Sequence, residues 1–333
     1  MPLRVNMRRV VKKAVSAPRV AGRKTAVKRA VPALRKPVAE SIVLKSDITT
    51  TDAFKSITTV LIGRIAAQRA AVQQGDPVGV HQMRIALRRT RVAITIFIAL
   101  VHGPETERLK RELKWLTGRL GPARDLHLMD LKLQEAGSVG STAFRKRVAA
   151  DRASAFTNAR RAVTEKRFDK LLADLQRWVD VTDHAQTAQD VPEKARTFAK
   201  RTLKRRAKHL IGKLDRLEDL DDEQRHRVRI AAKKLYYASG FFDSLFAGRK
   251  SGKRLARFSK RLKKLLDALG ILNDAAVQRQ LATSVANQSQ PTTPEAAKAD
   301  DDVTAAGDAA RDNQIEAALK AARKLADTPL FGG

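Results

Sequence analysis

The apolar positions from about residue 50 onward recur with the period of an α-helix. Ala, Leu, Lys and Arg dominate this part of the chain, alternating β-branched runs are rare, and Gly and Pro fall at breaks between apolar segments. Gly75-Asp76-Pro77 pairs a capping Asp with Pro at the first helical position, and Gly103-Pro104 marks the end of a helix. The pattern predicts an all-α fold, with helices at 50–73, 77–101, 105–119, 122–136, 141–163, 167–181, 193–217, 222–246, 250–268, 271–286 and 313–326.

Two sequence motifs occur twice, in the same order. The segment HQMRIALRRTRVAITIF at 81–97 aligns with HRVRIAAKKLYYASGFF at 226–242, and LGPARDL at 120–126 aligns with LGILNDA at 269–275. A repeated order of two motifs indicates a duplicated helical bundle. Because each second motif contains Gly, we predict a turn there that ends one helix and starts the next. The matched positions are His81 with His226, Arg84 with Arg229, Gly121 with Gly270 and Asp125 with Asp274.

The first motif helix carries a basic stripe. Its members are spaced by three, four and three residues, which places them on one face of the helix. Apolar positions flank the stripe on both sides, and residues 77–101 contain no acid. A basic stripe between two apolar surfaces indicates a groove that binds an anion rather than a solvated face. The stripe consists of His81, Arg84, Arg88 and Arg91, and its counterpart of His226, Arg229 and Lys233, with Tyr236 in place of a fourth basic residue.

The charge of the chain points to an acidic partner. Lys and Arg number 67 against 35 Asp and Glu, so the formal net charge is +32. Residues 1–45 hold 13 basic residues and one acid, yet the rest of the chain keeps a net charge of +20. Such an excess attracts nucleic acid, polyphosphate or an anionic membrane surface. We therefore expect a polyanion to bind the folded part of the chain as well as the basic arm, the N-terminal segment at 1–45.

Several classes of function are disfavoured. The chain has no Cys, which excludes disulfides and thiolate chemistry and is compatible with a reducing cytoplasm. No apolar run reaches the roughly 18 residues that a membrane span needs. The sequence shows no phosphate-binding P-loop, no HExxH motif and no hydrolase elbow. We expect no enzymatic activity, no cofactor and no metal site.

The repeated motifs resemble a known family. The two HxxRxxxRR-like helices, each followed by an LGxx(R/N)D segment, are similar to the CHAD domain, the conserved-histidine α-helical domain. The resemblance runs from about residue 50 to about residue 285 and includes RFDKLLADLQRWV in the first half. It implies two pseudo-symmetric four-helix-bundle subdomains around a basic central channel that binds inorganic polyphosphate. It also implies a cytoplasmic protein associated with polyphosphate granules. Some members carry a fused triphosphatase domain, and we find no β-rich, Glu-patterned sequence of that type here.

This comparison divides the chain into five segments. The basic arm and the acidic linker are compositionally biased, and we expect both to be disordered or loop-like. The two CHAD halves lie between them. The expected segments are the basic arm at 1–46, the N-terminal subdomain at 47–185, the C-terminal subdomain at 186–286, the acidic linker at 287–312 and a C-terminal helix and tail at 313–333.

The CHAD motif also implies a set of polyphosphate-binding residues. Transferred position by position, it assigns contacts to His81, Arg84, Arg88 and Arg91, and to His226, Arg229 and Lys233. The planar guanidinium of Arg suits paired contacts to phosphate oxygens, whereas Lys supplies a mobile point charge. The secondary candidates, taken from the far sides of these helices and from neighbouring helices, are Arg89, Lys234, Arg111, Lys114, Arg205, Arg206, Lys208, Arg257, Arg261 and Lys264.

Alternative interpretations remain for several of these residues. His81 and His226 could be core histidines, and a phosphatase that uses His81 with Asp125 is the enzymatic alternative. We interpret Asp125 and Asp274 as helix caps or Arg partners rather than catalytic acids. The main alternative function is nucleic-acid binding through residues 1–45 and the basic body. The low aromatic content, 5%, argues against single-strand binding by stacking.

Overall fold

A computed structural model describes residues 42–135, 142–182, 193–286 and 312–331. Within these residues the fold is all-α, as predicted, and an isolated β-bridge joins Thr49 to Lys194. A 3₁₀ turn at Asp243–Phe246 follows the ninth helix. The basic arm up to residue 41 and the linker at 287–311 lie outside the described residues. The helices are α1 Thr50–Ala67, α2 Arg69–Gln73, α3 Pro77–Ile96, α4 Ile98–Val101, α5 Pro104–Glu135, α6 Thr142–Thr164, α7 Lys166–Asp180, α8 Ala195–Leu214, α9 Asp222–Phe242, α10 Lys250–Ala286 and α11 at 312–326.

Local capping signals fix several helix starts. Asp76 accepts hydrogen bonds from the backbone N–H groups of Val78 and Gly79, and Pro77 occupies the first turn of α3, as the sequence predicted. Asp221 and Gln224 form a reciprocal capping box at the start of α9. These contacts satisfy N–H groups that lack a partner inside the helix. They set where α3 and α9 begin, and therefore which residues each helix turns towards its neighbours.

The predicted turns at the second motifs are wrong. The helices predicted at 105–119 and 122–136 form the single helix α5, and those at 250–268 and 271–286 form α10. Pro122 lies inside α5 with its ring on the exposed side, while Leu120 and Ala123 are buried. Burial of this apolar face outweighs the one backbone hydrogen bond that Pro removes. Asp125 and Asp274 are therefore interior helix residues and not N-caps.

Other predicted helices are interrupted rather than joined. The predicted helix at 50–73 divides at Gln68 into α1 and α2, and the one at 77–101 divides at Phe97 into α3 and α4. The predicted helix at 222–246 becomes α9 and the 3₁₀ turn. Phe97, at the break between α3 and α4, is fully buried, and its ring packs among the other aromatic rings of the core.

The core centre joins the two predicted halves through aromatic rings. Phe97 at the end of α3 stacks on Phe198 of α8, with ring centroids 5.1 Å apart, and lies 5.9 Å from Phe242 of α9. Phe54 of α1 contacts both Phe97 and Trp178. Each such pair adds roughly 0.5–1.5 kcal/mol beyond the burial of area. This packing holds α3 and α9 as direct neighbours, which places the two basic stripes side by side.

Candidate functional site

A cavity of about 410 Å³ lies between α3 and α9, the helices that carry the two repeated motifs. We call it the α3/α9 cavity. Basic side chains come from both helices and from α5, and Tyr237 and Thr95 add hydroxyl groups. Its described lining contains no carboxylate. The lining residues are Arg88, Arg91, Val92, Thr95, Lys110, His226, Arg229, Ile230, Lys233, Lys234 and Tyr237.

Two arginines of this cavity lack an acidic partner among the described residues. Lys110 pairs with Glu107, with 2.7 Å between Nζ and Oε1. Neither Arg88 nor Arg91 has a carboxylate oxygen within 4 Å in the described part of the chain. Like charges this close repel each other, and partial burial makes that repulsion stronger. An anion that entered the cavity would relieve it.

The basic stripe of α3 is divided between two environments. Arg88 and Arg91 line the cavity, whereas Arg84 points towards α5. Its Nη1 donates to the carbonyl oxygen of Thr117 at 3.4 Å, and its Nη2 lies 3.8 Å from a carboxylate oxygen of Asp125. Burial lowers the pKa of Arg84, Asp125 opposes this shift, and Arg88 adds to it. Asp125 is therefore an Arg partner, one of the two roles expected for it.

Gly121 of α5 lies directly beneath the guanidinium of Arg84. A Cβ atom at this position would stand 2.9 Å from Nη1 of Arg84, closer than ordinary van der Waals contact. In the second motif pair, a Cβ at Gly270 would be 3.8 Å from Nη2 of Arg229. Gly121 therefore leaves room for Arg84 to cross the face of the continuous helix α5, whereas the 3.8 Å at Gly270 is ordinary van der Waals contact and does not require a glycine there.

His81 lies half-buried among positive charges. Burial, together with Arg124, Arg84 and Arg88, lowers the pKa of His81 from 6.5 to about 4. The imidazole is therefore neutral at physiological pH, and it can donate one hydrogen bond and accept another. A polyanion bound beside it would favour its protonated form and raise this pKa.

The corresponding histidine of α9 has different surroundings. His226 is exposed, and its Nδ1 donates to Oδ1 of Asn273 at 2.7 Å. Asn273 occupies the motif position that Arg124 has in the first copy. The neutral amide of Asn273 holds the His226 ring by a hydrogen bond, whereas in the first copy the guanidinium of Arg124 disfavours a second proton on His81. The two histidines thus have matching sequence positions but different electrostatic environments.

A second cavity, of about 560 Å³, adjoins the first between α8 and α9. We call it the α8/α9 cavity. It shares Ile230 and Lys234 with the α3/α9 cavity, and Nη2 of Arg206 donates to the carbonyl oxygen of Thr95 at 3.3 Å. Burial lowers the pKa of Arg206, and Arg205 adds to the shift. The lining residues are Arg205, Arg206, His209, Lys213, Arg227, Ile230, Ala231 and Lys234.

The remaining candidate residues lie elsewhere. Arg89 places its guanidinium over the ring of Phe241, 5.4 Å from the centroid, and its pKa is lowered by burial and by Arg64. Arg261 and Lys264 line a separate cleft of about 230 Å³ between α10 and α11. The other four candidates line none of these three cavities and are exposed: Arg111, Lys114, Lys208 and Arg257.

Comparisons with known proteins show the family and the fold. The family model of the CHAD domain matches residues 57–283. The chain belongs to the CHAD family. The crystal structure of the CHAD domain from the plant Ricinus communis is similar to it, with a TM-score of 0.72 and 26% identity over 88% of this chain and 98% of that one. PptA from Streptomyces chartreusis gives a TM-score of 0.48 and 16% identity over 84% of this chain and 98% of that one. No curated protein matches the chain.

The CHAD region contains cavity residues that sequence reasoning missed. Lys110 lines the α3/α9 cavity one position before the predicted Arg111. It follows the buried Leu109 and precedes the buried Leu113, so it stands at the edge of the apolar face of α5. Its place at the edge of an apolar helix face was the feature of the sequence that could have identified Lys110 as a cavity residue. The other missed cations and histidine are His209, Lys213 and Arg227, which only the packing of α8 on α9 brings together.

Neither a membrane-spanning helix nor a metal-binding cluster occurs among the described residues. No helix there is long and apolar enough to cross a membrane. No group of three or more His, Asp or Glu side chains in the same residues is placed to hold a metal ion.

Proposed function

We propose that this CHAD protein binds inorganic polyphosphate in the α3/α9 cavity. The observation that carries the proposal is that six cationic side chains and His226 face one cavity whose described lining has no carboxylate. A linear polyanion supplies the missing negative charge along its whole length. The association of the CHAD family with polyphosphate supports the same ligand.

Each part of the cavity has a chemical role in this proposal. Arg88 and Arg91 contact phosphate oxygens in pairs through their planar guanidinium groups, whereas Lys233 and Lys234 act as point charges. Nδ1 of His226 donates to Asn273, so Nε2 is the ring atom left for the ligand, and it can contact a phosphate oxygen only when it also carries a proton. Each charge-assisted contact is worth roughly 1.5–3 kcal/mol, so several in register give tight, salt-sensitive binding.

The polymer continues from the α3/α9 cavity into the α8/α9 cavity. Lys234 and Ile230 form the wall that both cavities share, and Arg206 bridges α8 and α3 at this point. Arg205 and Arg206 then follow along α8. His81 and Arg84 extend the path at the other side, towards α5. Affinity should therefore rise with chain length until both cavities are filled.

Binding without hydrolysis is the simplest role for such a site. The cationic side chains position phosphates, and the protein would serve as a tether to polyphosphate granules. A fluorescent fusion should colocalise with granules, and a variant with an impaired α3/α9 cavity should disperse. Incubation with polyphosphate should release no orthophosphate above a protein-free control. Release that depends on His81 and Asp125 would instead support the phosphatase alternative.

The direct test replaces Arg84, Arg88 and Arg229 together with Ala. We expect polyphosphate affinity to fall by roughly 100-fold or more, while the helical fold is kept. Binding is measured by titration calorimetry and folding by circular dichroism. Unchanged affinity in a folded triple variant would contradict the proposal. The matched control removes the same charge from arginines about 80% exposed and outside the cavities: Arg147, Arg161 and Arg216.

Nucleic-acid binding is the second candidate function. The solvent face of α8 favours it, because Lys200, Lys204, Arg205 and Lys208 are exposed and no residue of α8 is acidic. Competition between long-chain polyphosphate and duplex DNA at physiological salt separates the two functions. We expect a chain that starts at Asp47 to keep polyphosphate affinity and to lose much of any DNA affinity. DNA binding by this shorter chain that equals its polyphosphate binding would reverse the assignment.

A further inference from the structure

A further cationic cavity, of about 670 Å³, lies at the starts of α8 and α10, beside residues 46–47 and Phe331. We call it the terminal cavity. It shares no lining residue with the α3/α9 or α8/α9 cavities, and parts of it lie outside the residues that match the CHAD model. Its lining residues are Ser46, Asp47, Lys194, Arg196, Thr197, Lys200, Phe246, Arg249, Ser251 and Phe331.

The charge of the terminal cavity is strongly positive. Lys194, Arg196, Lys200 and Arg249 contribute four cations against one carboxylate, that of Asp47. None of the four has a carboxylate oxygen within 4 Å among the described residues. Their shared environment therefore favours an anion with several charges. The hydroxyl groups of Ser46, Thr197 and Ser251 add hydrogen-bond donors for its oxygen atoms.

Packing fixes the shape of this cavity. The rings of Phe246 and Phe331 lie 5.0 Å apart, are 1% and 8% exposed, and form its floor. The guanidinium of Arg196 is held over Phe246, 5.8 Å from the ring centroid. A Cβ at Gly252 would stand 2.2 Å from the carbonyl oxygen of Phe246, so Gly252 is what lets α10 begin against the 3₁₀ turn. Packing thus holds Arg196 in place, whereas Lys194, Lys200 and Arg249 are exposed.

The backbone also makes the terminal cavity more positive. Both α8 and α10 begin at this cavity, and α8 has no side-chain cap at Lys194. The positive ends of two helix dipoles add to the cationic side chains. The volume is within the range of small-molecule sites and far exceeds that of a single water. A ligand with more than one anionic group is needed to reach cations from both helices.

We propose that the terminal cavity binds a short oligophosphate, with two or three phosphoryl groups, independently of polyphosphate binding in the α3/α9 cavity. Phosphoryl oxygens match the donors that Arg196, Arg249 and the hydroxyl groups supply. Because the two phenylalanine rings are buried, they offer no open face on which a nucleotide base could stack. Inorganic tripolyphosphate should therefore bind at least as well as ATP.

The test uses full-length protein that carries Arg84→Ala, Arg88→Ala and Arg229→Ala, so that the α3/α9 cavity no longer dominates. Titration calorimetry with inorganic tripolyphosphate should still detect binding, and the part that belongs to the terminal cavity is what the next two substitutions remove. Adding Lys200→Ala and Arg249→Ala should weaken it by about tenfold or more. The matched control, Lys204→Ala with Arg254→Ala, removes two exposed cations from the same helices outside the cavity and should leave the affinity unchanged.

Other outcomes would overturn the proposal. Equal binding by the Lys200 and Arg249 variant would place the ligand elsewhere, and equally tight binding of citrate would show a general anion site. ATP that binds about tenfold tighter than tripolyphosphate would contradict the exclusion of a base. In wild-type protein, tripolyphosphate should also protect Lys200, but not Lys204, from acylation, as measured by mass spectrometry. Failure of this protection counts against the terminal cavity alone, whereas a triple variant with wild-type polyphosphate affinity counts against the α3/α9 cavity.

Discussion

Replacing Gly121 with Ala should stabilise α5 and at the same time displace the guanidinium of Arg84, so the two effects can be measured separately. Within a helix, Ala is about 0.8–1 kcal/mol more favourable than Gly, so the exchange favours the helix itself. The new Cβ, however, would lie 2.9 Å from Nη1 of Arg84. The guanidinium must withdraw by about 0.5 Å to reach ordinary contact distance, which it can do because it is the end of a flexible side chain. The hydrogen bond to Thr117, already 3.4 Å long, would be lost.

The expected result is a protein that folds at least as well but binds polyphosphate less tightly. Displacing one arginine that contacts phosphate removes about 1.5 kcal/mol, or roughly tenfold in affinity. Gly118, one turn earlier on the same helix, is the control, since a Cβ there meets nothing within 4 Å. Gly118→Ala should give the helix gain without the loss of affinity. Gly270→Ala, with 3.8 Å to Arg229, should change affinity little.

The assay pairs urea unfolding with titration calorimetry against long-chain polyphosphate. The reasoning is refuted if Gly121→Ala and Gly118→Ala have the same affinity, because Arg84 would then make no contact with the polymer. A loss of stability above about 1 kcal/mol in Gly121→Ala would show that Arg84 is fixed and cannot withdraw. Equal loss of affinity in both glycine variants would trace the effect to α5 as a whole.

Three further predictions concern pH, a buried charge and a close approach. Polyphosphate should bind tighter as the pH falls from about 7 to about 5, because it raises the low pKa of His81, and His81→Gln should reduce this dependence in calorimetry. Arg108→Met should lower the free energy of unfolding by about 2 kcal/mol in urea, because the 3% exposed Asp174 loses its 2.7 Å partner. Gly252→Ala should lower the melting temperature, at a cost of about 2 kcal/mol, because its Cβ would meet the backbone of Phe246.

Each of these three predictions has a control and a contradicting result. For Arg108, burial by itself would raise the pKa of Asp174, but hydrogen bonds from Arg108 and Lys170 hold it below its ordinary value. Asp174→Asn in the Arg108→Met background should therefore recover part of the stability, and no recovery would contradict the buried-charge argument. Gly240→Ala, which meets nothing within 4 Å, should not destabilise the protein. An unchanged pH dependence in His81→Gln would assign the coupled proton to another group.

Local signals in the sequence predicted the helices but not where the long ones continue. Asp76 and Pro77 cap α3 through contacts within four residues, so their effect is visible without tertiary structure. Gly121 is different. A glycine can mark a helix end or a close approach by another chain segment, and only the position of Arg84 decides between them. The same ambiguity led to the wrong prediction of a break at Gly270.

The helical wheel placed the stripe correctly on one face but could not assign its neighbours. Lys234 was expected on the far side of α9, yet it lines both cavities, because α8 packs there and turns that side into a second wall. Conversely, Arg111 and Lys114 share the basic character of α5 but remain exposed, while Lys110 faces the cavity. Which cation lines a cavity depends on the packing partner of its helix, and that information is absent from a single helix's sequence.

The two repeated motifs are not chemically equivalent, and the difference affects how a polyanion would bind. In the first motif, burial and the neighbouring Arg124 keep the pKa of His81 low, so a phosphate bound there would favour uptake of a proton. In the second, Asn273 replaces the guanidinium and fixes His226 through a hydrogen bond. The pH dependence expected from His81 therefore does not transfer to His226 by sequence match alone. A repeated sequence thus gives its two histidines different neighbours.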